Sequence, residues 1–149
     1  MELSEIRKLL LEQHAELRAI IAELEAAAKA ADDGLAGAVG QLDATMGKLA
    51  KALAAHHATE DEHLATFLPD SDAWGAERAK LLRERHDAAH VAMDAGVAAV
   101  SAAGATLAAR AASALGLAQT LREHMRVEEK YVLSESVLRD DAILVEFGG

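Results

Sequence analysis

The chain has 149 residues, a formal net charge of −10, a single proline and no cysteine. That length fits one domain with a real core, and the missing cysteines exclude disulfides, iron–sulfur clusters and thiol catalysis. The acidic balance speaks against nucleic acid or an anionic membrane as the main partner, since both require a basic patch.

Ala, Leu, Glu and Arg dominate, and these residues lose little side-chain freedom in a helix. The first helix starts near Ser4, a reasonable N-cap, and runs to the turn Asp32–Gly34. It carries one histidine, His14. The second runs from about Leu35 to Phe67 and stops at Pro69. Its stretch "AAHHATEDEHLATF" crowds histidines and carboxylates onto an otherwise apolar background, with His56 and Glu60 four residues apart. After the turn "PDSD", a third helix spans about Asp72 to Ser101 and carries His86 and His90. Gly104 marks the next turn. A fourth helix follows from about Thr106 to Glu135, with His124 and Glu128 again four apart. Residues 136–149 form a tail whose run "AILVEFGG" has strand-like ingredients and is expected to pack on the helices.

Short connections make sequence neighbours antiparallel, so the expected fold is all-α: an up-down-up-down four-helix bundle over about residues 4–135 of a single domain, 1–149. The opening "MELSEIRKLL" lacks the apolar core of a signal peptide, and no segment is apolar enough to span a bilayer. A cytoplasmic location is the expectation.

The chain also repeats itself. "LAKALAAHHATEDEHL" (49–64) lies over "LAQTLREHMRVEEKYV" (117–132), matching His56 to His124 and Glu60 to Glu128. In the same way "KLLLEQHAEL" (8–17) lies over "KLLRERHDAA" (80–89), matching His14 to His86. Residues four apart sit about 40° apart on one helix face. Three helices therefore carry a stacked pair of potential metal ligands. Counted from the helix ends, and at about 1.5 Å per residue, the five histidines fall within a layer about 10 Å thick. Five imidazoles and two carboxylates converging in an apolar bundle describe a dinuclear metal site. The donors suit iron, manganese or zinc. A carboxylate from each of two helices can bridge two cations and offset the burial of charge.

The ordered series His, HxxxE, HxxxH, HxxxE on four successive helices resembles the hemerythrin-like (HHE cation-binding) domain family, over roughly residues 6–135. The resemblance implies two iron ions with an oxo or hydroxo bridge. His14 and His56 would ligate one iron, His86, His90 and His124 the other, and Glu60 and Glu128 would bridge. The two-histidine iron would keep an open position for dioxygen or another small ligand. Respiratory hemerythrins have an Asp five residues after the last histidine, where this chain has Glu129. An ideal helix turns Glu129 about 140° from His124, which favours Glu128, while a π-bulge would exchange the two.

Other residues have plainer expectations. His57 and Asp61 read as flank or surface. The single "EDEH" does not make a ferritin-like site, which needs Glu-x-x-His on two helices. His63 and its repeat counterpart Tyr131 are expected to face inward, two turns from the ligands. There they would plug the bundle end or form an outer shell governing access. Reversible binding of a small diatomic ligand, dioxygen foremost, is the expected function, in carriage, storage or sensing. The alternatives are an enzyme removing hydrogen peroxide or nitric oxide, with His63 and Tyr131 as proton donors, and an iron-responsive regulatory module acting through a separate partner.

Overall fold

The computed structural model describes residues 1–67 and 75–134, leaving aside the side chains of residues 65–67, 75 and 82. Four helices account for most of them: α1 (Leu3–Asp32), α2 (Ala38–Phe67), α3 (Gly75–Val100) and α4 (Leu107–Tyr131). Helix α1 packs on α2 and α4, α3 packs on α4, and of these neighbouring pairs α2 and α3 meet least closely. With short links at 33–37 and 101–106, that neighbour order is the antiparallel four-helix bundle. The turn at Pro69 and the tail 136–149 lie outside the described residues. Among those described, no helix is long and apolar enough to cross a membrane.

The helix ends differ from expectation for local reasons. Ser4 lies inside α1. The N-cap is Glu2, whose backbone N–H donates to the Glu5 carboxylate at 2.8 Å. An acid there also suits the positive end of the helix dipole. Helix α2 begins at Ala38 rather than Leu35, because Gly34 and Gly37 take φ of 71° and 79°. Those left-handed conformations close α1 and cannot be absorbed into a helix. At its start α4 is capped by Thr106, whose hydroxyl accepts from the Ala109 N–H at 3.1 Å. It ends at Tyr131, not Glu135. The N–H groups of Val132 and Leu133 both fold back on the Glu128 carbonyl, and Arg7 Nε donates to the Leu133 carbonyl at 2.6 Å. Turning the chain off the helix axis buries the Leu133 side chain against α1.

The aliphatic core comes in two blocks. The larger is built around Ile21, Leu24, Leu42, Leu49, Leu117 and Leu121. The smaller consists of Ile6, Leu10, Leu64, Ala79 and Leu133. Every helix passes from one block to the other through a polar residue: His14 on α1, His56 and Glu60 on α2, His86 on α3, Glu128 on α4. Each fully buried Leu or Ile contributes roughly 1.5–3 kcal/mol, so both blocks help hold the polar layer in register. Close approach of α3 and α4 uses Gly96, where an added Cβ would lie 2.9 Å from Leu117 Cδ1.

A candidate metal centre between two apolar blocks

His14, His56, Glu60 and Glu128 are each at most 3 % exposed, and His86 is 6 % exposed. Burying two carboxylates this deeply is costly unless positive charge accompanies them. Their oxygens are shared out in a regular way. Glu60 directs Oε1 to His56 Nε2 at 2.5 Å and Oε2 to His86 Nε2. Glu128 directs Oε1 to His14 Nε2 at 3.0 Å and Oε2 to His124 Nε2 at 3.2 Å. Two four-residue groups result, each with its ligand atoms within 4.8 Å of one another: His14, His56, Glu60 and Glu128, then Glu60, His86, His124 and Glu128. The two glutamates belong to both groups.

Beyond the His14–Glu128 contact, much of this proximity is not hydrogen bonding. Both Glu60 oxygens, Glu128 Oε2 and the Nε2 atoms of His86 and His124 are buried with no hydrogen-bond partner. An unsatisfied buried polar atom costs about 1–3 kcal/mol. A set of them aimed at shared points is the donor arrangement a cation fills.

Electrostatics points the same way. Burial would lower the His56 pKa, yet the carboxylates of Glu128 and Glu60 outweigh it and raise His56 to about 9. His86 is also raised, with Glu60 overcoming burial. Burial would raise Glu128, but the imidazoles of His124, His14 and His56 hold it well below the usual carboxylate range. In the metal-free chain, protons take the place where positive charge is required.

The remaining predicted residues are placed as follows. Glu129 lies on the outer side of His14, where Oε2 accepts from Nδ1 at 2.9 Å and from Arg18 at 2.5 Å. His90 belongs to neither group. Its ring stacks on His57 with centroids 3.8 Å apart, and its buried Nε2 has no hydrogen-bond partner. His57, expected on the flank or surface, is instead partly buried between α2 and α3. Burial, followed by repulsion from His90 and His56, lowers its pKa to about 3. His63 is largely covered, near the Glu62 carboxylate. Tyr131 does not face inward: it is 51 % exposed, with the Arg85 and Lys130 cations over its ring. As the last residue of α4, it sits where the bundle no longer surrounds the ligand stripe. It borders a cavity of about 50 Å³ between α3 and α4, which reaches His86, His124 and Glu128.

Sequence reasoning passed over Gln13, Arg18, Thr59 and Arg85. Gln13 donates to Thr59 Oγ1 and lies 2.9 Å from His56 Nδ1. Gln13, Thr59 and Arg85 are marked only by adjacency to His14, Glu60 and His86, and Arg18 only by its place four residues after His14.

A helical bundle whose buried layer is a histidine–glutamate set shared between two clusters carries the ligands to hold metal cations. The Hemerythrin HHE cation binding domain profile matches residues 5–135, and the chain belongs to that family. No curated protein and no solved structure matches the chain.

Proposed function

We propose that the chain is a non-haem di-iron protein that reversibly binds dioxygen or another small diatomic ligand. The observation that carries this reading is the sharing of Glu60 and Glu128, each with one oxygen directed to each pair of histidines. In this reading His14 and His56 hold one iron and His86 and His124 the other. His90 joins the second set by turning off its stack on His57. Nitrogen and oxygen donors without sulfur suit iron, with manganese and zinc next. Bound iron supplies reversible electron transfer to a small ligand.

The chain supplies the surroundings. Leu17, Ile21, Leu53, Leu121 and Met125 wall off the layer on its core side, around a cavity of only about 10 Å³. That lining keeps water from the centre and favours binding over turnover. The opening beside Tyr131, about 50 Å³, holds a few water-sized molecules and no organic substrate. Neither nucleic acid nor a membrane enters this reading, given a net charge of −10.

The test is iron content per chain on protein purified without chelators or a histidine tag, followed by cycles of dioxygen addition and removal on the ferrous protein. Two irons and a reversible optical change support the proposal. Near-zero iron that anaerobic ferrous iron cannot restore overturns it. A second reading, removal of hydrogen peroxide or nitric oxide, draws on the Tyr131 phenol at the cavity edge as a proton source. Sustained peroxide turnover without loss of iron selects that reading.

A further inference from the structure

The outer nitrogen of His56 is the end of a hydrogen-bond chain whose direction can be worked out. His56 Nδ1 lies 2.9 Å from Gln13 Oε1, Gln13 Nε2 lies 2.9 Å from Thr59 Oγ1, and Thr59 Oγ1 lies 3.0 Å from the Ala55 carbonyl oxygen. A carbonyl only accepts, so Thr59 spends its single proton on Ala55 and accepts from Gln13. The Gln13 amide must then turn its NH₂ to Thr59 and its oxygen to His56. An amide oxygen also only accepts, so Nδ1 of His56 carries the proton.

We infer that Gln13 and Thr59 form a relay that fixes His56 as its Nδ1–H tautomer and so presents the Nε2 lone pair to the cation site. Both are positioning residues, and neither touches the metal position. The inference rests on the reading of His56 as a metal ligand. The partner nitrogen, His14 Nε2, lies 3.2 Å from His56 Nε2, and its ring is fixed in the same sense by Glu129. Two imidazoles that both hold their proton on Nδ1 turn two lone pairs towards each other. Such a pair, with Glu60 Oε1 2.5 Å from His56 Nε2, needs a cation or an added proton between its members. The two backings differ in charge: a carboxylate held by Arg18 behind His14, and a neutral amide held by Thr59 behind His56. His14 is thereby the more electron-rich donor of the two.

The test uses Gln13→Leu, Thr59→Val and the restoring variant Gln13→Glu, which keeps an acceptor at the same place. Imidazole ¹H–¹⁵N spectra of the metal-free chain, taken in alkaline solution above the raised pKa of His56, report the tautomer directly. Ferrous-iron affinity is measured anaerobically by chelator competition. Wild type shows His56 as Nδ1–H. In Gln13→Leu the tautomer shifts towards Nε2–H, affinity at one of the two iron positions falls ~10–100-fold, and Gln13→Glu restores both. Thr59→Val, further from the site and close in shape, gives a smaller shift in the same sense and serves if Gln13→Leu does not fold. An unchanged tautomer in the variants overturns the inference, as does a changed tautomer with native iron affinity. Wild-type protein that takes up no iron overturns the di-iron reading, while the metal-free spectra still decide whether the relay sets the tautomer.

Discussion

Glu128 and Glu129 are neighbours on α4 and engage opposite edges of one imidazole: Glu128 Oε1 is 3.0 Å from His14 Nε2, and Glu129 Oε2 is 2.9 Å from His14 Nδ1. Adjacent helical residues diverge by about 100°, so they can bracket a ring only if it enters from another helix and points between them. Helix α1 does this with His14. The two glutamates should therefore fail differently. In the proposed di-iron reading, Glu128→Ala removes a carboxylate common to both groups and is expected to lose at least one of two irons per chain. Glu129→Ala is expected to keep both at saturation and to bind ~10–100-fold more weakly. Metal content and chelator competition on the two variants check this; the reverse pattern would exchange their roles.

Stability of the metal-free chain should peak near pH 6.5. His56 rises from 6.5 to about 9 on folding, so between those values the folded state holds a proton that the unfolded state has released. Stability falls across that window as pH rises, by ~3 kcal/mol. His86, also raised, adds to the same limb. His57 works in the other direction, being lowered to about 3. Below pH 6.5 the unfolded chain takes up a proton there that the folded chain refuses, and stability falls with pH. Glu128, held low, deepens the loss in acid. Urea unfolding across about pH 4 to 10 measures the profile; a metal-free chain that only gains stability above pH 7 contradicts it.

Bound metal should flatten the alkaline limb, since a cation then occupies the place of the proton. Ferrous iron or zinc at a hundredfold excess over its dissociation constant should add ~2.7 kcal/mol per site to unfolding stability. A chelator should reverse the gain. His86→Ala should reduce it, because that side of the layer loses a donor. Equal stability with and without metal would rule out binding in the folded core.

Two glycines in helices should respond with opposite signs. Gly47 is exposed on α2 with nothing within 4 Å of an added Cβ, so Gly47→Ala should stabilise by ~0.5–1 kcal/mol through helix propensity alone. At Gly96 the added Cβ already presses on Leu117. Gly96→Val should cost ~1–3 kcal/mol by forcing α3 and α4 apart. Thermal unfolding of both metal-free variants provides the comparison.

Tyr131 and His63 should separate in their effect on access. Tyr131 edges the cavity that reaches His124, whereas His63 does not line it. Tyr131→Ala should speed release of iron to a chelator several-fold, with His63→Ala near wild type. Matched rates in both variants would remove Tyr131 from any gating role.

The convergence of His14, His56, Glu60, His86, His124 and Glu128 was legible from sequence because helix pitch and rise are rigid. Four-residue spacing sets the face, and distance from a helix end sets the height. What pitch does not encode is where a side chain goes once it reaches the layer. His90 has the right spacing, yet its ring stacks on His57, a rotamer choice with no sequence signature. The relay through Gln13 and Thr59 is equally silent, since isolated polar residues on a helix read as surface. Tyr131 continues the ligand stripe in sequence, but α4 stops there, and beyond the last turn a stripe no longer implies cover. Helix ends followed local chemistry: Glu2 with Glu5 rather than Ser4, and two left-handed glycines rather than Leu35.

The polar layer also divides the molecule's cohesion. Among the described residues, five buried side chains lie in the small block against twenty in the large one. Arg7 pins the small block at Leu133, and the polar layer separates it from the large one. When the layer between them carries only protons, the far end of the bundle becomes a separate unit that can open without the rest. Amide protons near Ile6, Leu64 and Leu133 would then exchange by subglobal opening, while those around Ile21 and Leu49 wait for global unfolding. Cations in the two ligand groups, each drawing on three helices and together on all four, would tie the two units together. Cooperativity itself, and not only affinity for a ligand, would then be a property that bound metal confers.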